Sequence, residues 1–545
     1  MTFPQILMFV VMLLAGTGVF LVGVDLLTSN IEQLATSKIK DLFGKTADKK
    51  LVNVGIGAAS TALIQSSGVT TVLIVGFVNV GIMNLHQATA MIMGANIGTT
   101  ITAQIAALSA FPITDYIQIL TFIGIMMCMV CKGENVKKIG MIIAGLGLIF
   151  IGLSLMSDSM ANNKDAIKSV FESVSNPFLL FFIGIFLTAL VQSSSATTSV
   201  IIAMSVAGLT IGTGGNEVLY IILGTNIGSC VTALMSSMGA GTNAKRTSLI
   251  HLMFNTFGSV LFFIIFAFWP TFMVDTFKNW FDAPATQIAM FHTFFNTICT
   301  LIFLPFSTLF VKASEILIKE KKAKEKAKNE FTYLDERIMS SPSLAISQLE
   351  KESMLLADTA MDAFRMAYRG FYNKDASAIS LVHEKIDRST QMQQNIVNYL
   401  IRLSAKSMCD EEKDISDLHS NIGDIMRVAE IADNFTKYTR KEIDMNLSFS
   451  PEVKDELDAM VGKIEELYGY TKQIVLYKNL SLLPMIDSAE EVIDAYRKSL
   501  IDSHIERLNA GTCKPENSSI FINLVSNLER LGDHLTYIAY TVQGE

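Results

Sequence analysis

Two short polar clusters stand inside otherwise apolar stretches: Gln65-Ser66-Ser67 and Gln192-Ser193-Ser194-Ser195. Thr70 and Thr71 follow the first, Thr197 and Thr198 the second, and none of these residues carries a formal charge. Amides, hydroxyls and the carbonyls freed at a helix break are hard oxygen donors. They suit a weakly held Na⁺ better than zinc or a redox metal, which would want imidazole or thiolate. A break also exposes N–H groups at the start of the second half-helix, and these cradle an anion without any basic side chain. A cation and an anion could thus share one site, each reducing the other's desolvation cost. Further along, Gly94-Ala95-Asn96-Ile97-Gly98-Thr99 and Gly224-Thr225-Asn226-Ile227-Gly228-Ser229 offer more amides and hydroxyls. The competing reading is close helix packing by small residues, with Asn96 and Asn226 in interhelical hydrogen bonds. A matched pair of clusters at two breaks weighs against packing alone.

Other chemistry is thinly represented. Cys128-x-x-Cys131 has no second pair and reads as packing. No nucleophile–base set, P-loop or His/Cys metal spacing is present, which argues against an enzyme. His251-x-x-Phe-Asn255 and His292-x-x-Phe-Asn296 place His and Asn on one helix face, for neutral interhelical hydrogen bonding or for proton coupling.

The elements that must hold these residues follow from the distribution of charge. The chain has 545 residues, 50% hydrophobic and 17% charged. Residues 1–311 contain 25 of the charged side chains and residues 312–545 contain 69. No single soluble domain has that composition, so the expected fold is all-α: a polytopic membrane domain (1–311), a Lys-rich linker helix (312–342) and a soluble helical domain (343–545). The net charge of −8 offers no nucleic-acid footprint. Seven stretches near 5–27, 85–108, 117–131, 139–157, 216–238, 247–269 and 287–311 read as spans, the third and fourth of them short. Segments 51–81 and 177–209 are interrupted at their centres by the Gln-Ser-Ser clusters. Each half is too short to cross a core about 30 Å thick, so both read as re-entrant helical hairpins. With that topology every basic loop falls on one side, which sets the N-terminus outside and the C-terminal domain in the cytoplasm.

The membrane part contains itself twice. Gly16, Gly18 and Gly23 match Gly145, Gly147 and Gly152; Thr61 to Ser67 match Thr188 to Ser194; Gly94 to Thr99 match Gly224 to Ser229. The first repeat spans about 5–131, the second about 139–269, and the span at 287–311 is extra. Three crossings separate the copies, so they are inverted. Inverted repeats with broken helices meeting near the midplane are the construction of secondary transporters.

The paired Gln-Ser-Ser hairpins, each followed by a Gly-x-Asn-Ile-Gly block, resemble the type II sodium–phosphate cotransporter family over residues 5–311. The resemblance implies a bacterial plasma-membrane symporter with inorganic phosphate as substrate and sodium ions as co-substrate. By motif match the binding role falls on Gln65, Ser66 and Ser67 and on Gln192, Ser193, Ser194 and Ser195. Thr70, Thr71, Thr197 and Thr198 lie just beyond, and Asn96, Thr99, Asn226 and Ser229 are the downstream candidates. The first cluster has Gly68 where the second has Ser195. Two other functions stay open: a sodium-coupled carrier of another small oxyanion, and a phosphate-sensing membrane receptor that moves nothing.

After Val311 comes a Lys-rich helix, Lys319 to Lys328, suited to anionic headgroups. Six helix-length segments follow, near 343–371, 376–407, 412–441, 451–479, 486–509 and 518–541. Weak internal matches between Arg427-x-x-Glu430 and Arg530-x-x-Asp533 suggest two three-helix bundles. Asn527-Leu-Glu529-Arg530-Leu-Gly-Asp533-His534 is similar to the final-helix signature of PhoU, the regulator of phosphate uptake. That resemblance covers about 200 residues. It implies regulation of the carrier, through a cytosolic signalling partner or self-association, and a metal on carboxylates such as Glu529, Asp533 and Glu430. Ordinary solvated or salt-bridged carboxylates are the other reading of those three.

Overall fold

The computed structural model describes residues 3–44, 49–112, 114–319, 332–340, 342–405, 412–447, 449–513 and 515–544. Among them there are helices and no strand, and the chain divides into two compact units, 1–322 and 323–545. The Lys319–Lys328 segment lies outside the described residues apart from Lys319.

In the first unit the long helices are α1 (Phe3–Gly44), α4 (Leu85–Ala107), α7 (Glu134–Asn162), α13 (Thr242–Phe268) and α16 (Pro284–Phe303). With the α11–α12 pair (Glu217–Gly228, Cys230–Ser237) they make six stretches long and apolar enough to cross a membrane. The expected span at 117–131 is instead an 11-residue helix, α6 (Leu120–Val130), preceded by the short α5 (Thr114–Ile117). It runs antiparallel along α7: Gln118 donates to Ser154 at 2.9 Å, and the Cys128 thiol donates to the Lys137 carbonyl at 3.2 Å. The expected span at 287–311 stops at Phe303, because Pro305 has no N–H for the helix ladder. A separate helix, α17 (Ser307–Leu317), follows.

Both interrupted segments are pairs of short helices. The first is α2 (Lys50–Ile64) and α3 (Ser67–Asn79); the second is α9 (Pro177–Val191) and α10 (Ser194–Val206). Missing side chains set how they pack. A Cβ on Gly94 of α4 would lie 2.0 Å from the Val54 carbonyl oxygen, and one on Gly98 would lie 2.4 Å from that of Ala58. At the far end Thr102 bonds Gln65. Contacts 54–94, 58–98 and 65–102 rise together, so α2 and α4 are parallel, and α3 between them must run back. The second repeat does the same: a Cβ on Gly224 would lie 2.2 Å from the Phe181 carbonyl oxygen, and one on Gly228 would lie 2.6 Å from that of Ile185. Each broken segment is therefore a hairpin. The loop after the second hairpin, 207–216, is longer than its counterpart at 80–84.

The repeats meet through α1 and α7, which are antiparallel. Gly16 packs on Gly152 and Gly23 on Gly145: a Cβ on Gly16 would lie 3.1 Å from the Gly152 carbonyl oxygen, and one on Gly23 would lie 2.8 Å from that of Gly145. Gly16 is the repeat equivalent of Gly145, and Gly23 of Gly152. Exchanging the repeats turns one contact into the other, so the interface is self-complementary about a pseudo-two-fold axis perpendicular to both helices. Inversion of the repeats is thus visible in the packing.

The second unit consists of α18 (Pro342–Asn373), α19 (Ala378–Ser404) and α20 (Glu412–Asp444), then α21 (Pro451–Tyr477), α22 (Leu483–Asn509) and α23 (Ser518–Tyr540). Each triplet packs around its own apolar core, with Phe364, Tyr399 and Phe435 in the first and Ile464, Leu467 and Phe521 in the second. The bundles join through reciprocal pairs. Tyr368 donates to Asp458 at 2.5 Å and Tyr468 to Asp358 at 2.7 Å; the two tyrosines are a hundred residues apart, as are the two aspartates, so this junction too is a pseudo-two-fold.

Candidate functional site

Gln65 and Gln192 end the first half-helix of each hairpin in left-handed backbone, with φ/ψ of 54°/15° and 58°/23°. Among the described residues of the first unit they are the only non-glycine positions with positive φ. Such a conformation costs an L-residue about 1–2 kcal/mol, and strain of this kind collects at working sites. The next residues, Ser66 and Ser193, are extended and cap the second half-helices: Ser66 Oγ accepts from the Val69 N–H at 3.3 Å, Ser193 Oγ from the Ala196 N–H at 3.2 Å. The two breaks are the same structure made twice. At each, the remaining first-turn N–H groups have no helical acceptor and face the break.

Gln65 is half-buried. Its Oε1 accepts from Thr102 at 2.9 Å and its Nε2 donates to the Ala62 carbonyl at 2.6 Å. Gln192 is exposed, and Ser194 is buried while Ser67 and Ser195 are half-buried. A Cβ on Gly68 would lie 3.5 Å from Thr232 Cγ2, an ordinary contact, so space does not dictate the missing hydroxyl there. Thr232 belongs to α12, in the second repeat, yet sits beside the first break. Likewise α3 packs on α12 and α10 packs on α4, so each half-helix is walled by the other repeat.

The remaining candidates are committed differently. Thr70 and Thr197 donate to the carbonyls of Ser66 and Ser193, at 3.0 and 3.1 Å, and Thr71 to that of Ser67 at 2.7 Å. Thr198 is fully buried and its hydroxyl has no partner. Asn96 and Asn226 each donate to a carbonyl of their own helix, Ile92 and Ile222, at 2.9 Å, and Thr99 and Ser229 also bond within their helices. Sequence reasoning missed Thr102 and Thr232. They are repeat equivalents of each other, three residues beyond Thr99 and Ser229, and that match was the available signal.

In the second unit, Asn527 of the final-helix signature donates to the Tyr438 hydroxyl at 2.7 Å, and His534 meets Asp424 at 3.0 Å, so both tie one bundle to the other. Glu430 pairs with Arg427 at 2.6 Å and Glu529 with Arg497 at 3.7 Å. Burial, together with neighbouring Asp533, raises the Glu529 carboxyl above its ordinary range, and burial with neighbouring Asp494 does the same to Asp533. Among the described residues no three metal-capable side chains converge.

The Na⁺/Pi-cotransporter family model matches two adjacent stretches, 19–158 and 160–292. The chain belongs to the Na⁺/Pi-cotransporter family. It is a multi-pass membrane protein of a transporter family rather than an enzyme family. The PhoU domain model matches residues 457–542, the second bundle. An uncharacterized protein of Bacillus subtilis (strain 168), YqeW, is 29% identical over 305 residues, 55% of this chain and 96% of its own. The putative inorganic phosphate export protein YjbB of Escherichia coli (strain K12) is 22% identical over 543 residues, 97% of this chain and 96% of its own. Rat sodium-dependent phosphate transport protein 2C is 49% identical over 55 residues, 10% of this chain and 9% of its own. No solved structure matches.

Proposed function

We propose that the chain is a sodium-coupled phosphate symporter of the bacterial plasma membrane, with its ion site at the two Gln-Ser-Ser breaks. The observation that carries this reading is the pair of left-handed glutamines, Gln65 and Gln192, each followed by a serine-capped half-helix of inverted orientation. Half-helix N-termini supply N–H groups to the phosphate oxygens; glutamine, serine and threonine oxygens supply sodium ligands. No basic side chain is at either break, so sodium provides the charge compensation. Carrying a dianion inward against an inside-negative potential costs about 2.3 kcal/mol per charge per 100 mV. Two Na⁺ cancel that term and any third adds driving force. The Escherichia coli relative is named for export, and a symporter of this kind runs outward wherever the summed gradients point outward.

The reading places the N-terminus outside and the PhoU-like unit in the cytoplasm, where it regulates transport through a signalling partner or self-association. Labelled-phosphate uptake into proteoliposomes by Gln65→Ala, Gln192→Ala, Ser66→Ala and Ser193→Ala variants tests the site. Each loses an oxygen or a cap that no charged residue replaces, and uptake should fall strongly while insertion is normal. Ser237→Ala, whose hydroxyl bonds only within its own helix at 2.8 Å, should keep wild-type uptake. Equal tolerance at both positions would place the site elsewhere.

A further inference from the structure

One group of reactive side chains in the second unit has no part in the breaks: His504, Cys513 and Ser518, around the turn between α22 and α23. α22 is closed by a left-handed residue, Gly511, with φ of 70°. Past it the chain folds back on the helix. The Gly511 N–H bonds the Leu508 carbonyl at 3.0 Å, and the Arg507 carbonyl accepts from the Thr512 and Cys513 N–H groups at 3.0 and 3.2 Å. The Thr512 hydroxyl donates to the same carbonyl at 3.0 Å. That turn lays Cys513 over the end of α22, where its Sγ lies 3.8 Å from His504 Nδ1.

The imidazole is locked in place. Its other ring nitrogen, Nε2, is 2.7 Å from Ser518 Oγ, and the ring packs on Phe521 with centroids 4.6 Å apart and 34° between planes. His504 is 2% exposed, and burial together with the charge of Arg507 holds its pKa below the ordinary value, so the ring is neutral near pH 7. With its proton on Nε2 and donated to Ser518, Nδ1 turns a lone pair to the thiol. A nucleophile, a base in reach of it and a third group orienting the base are the parts of an activated thiol. Cys513 is half-buried and follows the exposed Thr512, so a small reagent reaches the sulfur. Zinc would need four ligands, and among the described residues no third metal-capable side chain joins this pair.

We propose that Cys513 is a site of reversible thiol modification, its sulfur activated by His504 and its reactant a low-molecular-weight disulfide. His504 Nδ1 takes the thiol proton as Sγ attacks one sulfur of the disulfide. The new S–S bond forms as the old one breaks, and the departing thiolate takes the proton back from the imidazolium. Protein thiol and small disulfide thus give a mixed disulfide and one small thiol, with no further oxidant. In the cytoplasm, where the orientation proposed above puts this unit, the mixed disulfide forms when the disulfide share of the thiol pool rises and reverts when it falls. The added group sits on the turn joining the last two helices of the bundle that matches PhoU, which gives that unit a redox input.

The test uses the purified full-length protein and glutathione disulfide, with modification of the Cys513 peptide followed by mass spectrometry. Near pH 7 the folded wild type should be modified at Cys513 about tenfold faster than the same chain in urea, although unfolding exposes the thiol fully. His504→Gln should lose that advantage. Its rate should climb with pH towards the ordinary thiol value of about 8.5 and meet the wild-type rate only at about pH 10. Ser518→Ala, which leaves the imidazole stacked on Phe521, should lose part of the advantage, and dithiothreitol should restore the thiol in every case. A folded wild-type rate no higher than that in urea, or a His504→Gln pH profile that overlays the wild type, overturns the proposal. Should His504→Gln fail to fold, the urea comparison, which needs no variant, still decides.

Discussion

A glutamine in left-handed backbone gives up about 1–2 kcal/mol relative to a glycine at the same place, and both repeats make that sacrifice at the same position. The strain and the side chain can be separated experimentally. Gln65→Gly or Gln192→Gly relieves the backbone and removes the amide, so the thermal midpoint should hold or rise while phosphate uptake is lost. Lost stability together with lost uptake would make the glutamine a structural residue. Thr102→Val should also weaken uptake, because it removes the hydroxyl that donates to Gln65 Oε1. The Gln-Ser-Ser clusters were legible in sequence because polar triplets are rare in apolar helices. Thr102 and Thr232 were not, since a lone threonine there looks like packing, and only the fold brings Thr232 beside Gly68.

Between elements, the fold is held by absent side chains. Adding a methyl at Gly94 or Gly224 would press a Cβ to 2.0 or 2.2 Å from the carbonyl oxygen of Val54 or Phe181 and force apart the helix pair that positions each break. Gly94→Ala and Gly224→Ala should each lower the thermal midpoint of the purified protein and abolish uptake. At Gly55 a Cβ meets nothing within 4 Å, so Gly55→Ala should be neutral or stabilising by up to about 1 kcal/mol. Equal effects at all three glycines would contradict the packing described. The hairpins could be read from the sequence because each half is short and ends in polar residues. The shape of segment 117–131 could not: apolarity alone does not reveal that its helix starts only at Leu120. Pro305 was a readable stop within the last span, overlooked beneath the surrounding hydrophobicity.

For the whole molecule, the reciprocal Gly16–Gly152 and Gly23–Gly145 contacts make the two repeats inverted partners. Inversion was legible from the three matched blocks, although the crossing count behind it included 117–131, whose helix has only 11 residues. That α1 and α7 form the axis was not, because glycines shared by two repeats do not say which copy each will meet. If the orientation proposed above is right, a cysteine placed in the 28–50 loop should react with an impermeant label only from the cytoplasmic side. One placed near Asp115 should react only from outside, and labelling of both from one side would end the inverted-topology argument. The six helices of the second unit were readable from their periodicity and pack around their own cores. A chain ending near residue 330 should therefore keep sodium-coupled uptake and lose its regulation. Complete loss of uptake in a correctly inserted truncation would make the second unit part of the transport machinery.

The central claim is coupling of phosphate movement to sodium, and purified wild-type protein in sealed liposomes tests it most directly. An inward sodium gradient should drive labelled phosphate to accumulate above its external concentration. Replacing sodium by choline should abolish accumulation, and excess unlabelled phosphate should compete more strongly than sulfate. Phosphate binding without any net uptake would mark a receptor, and uptake unchanged in choline would contradict the sodium-coupled account.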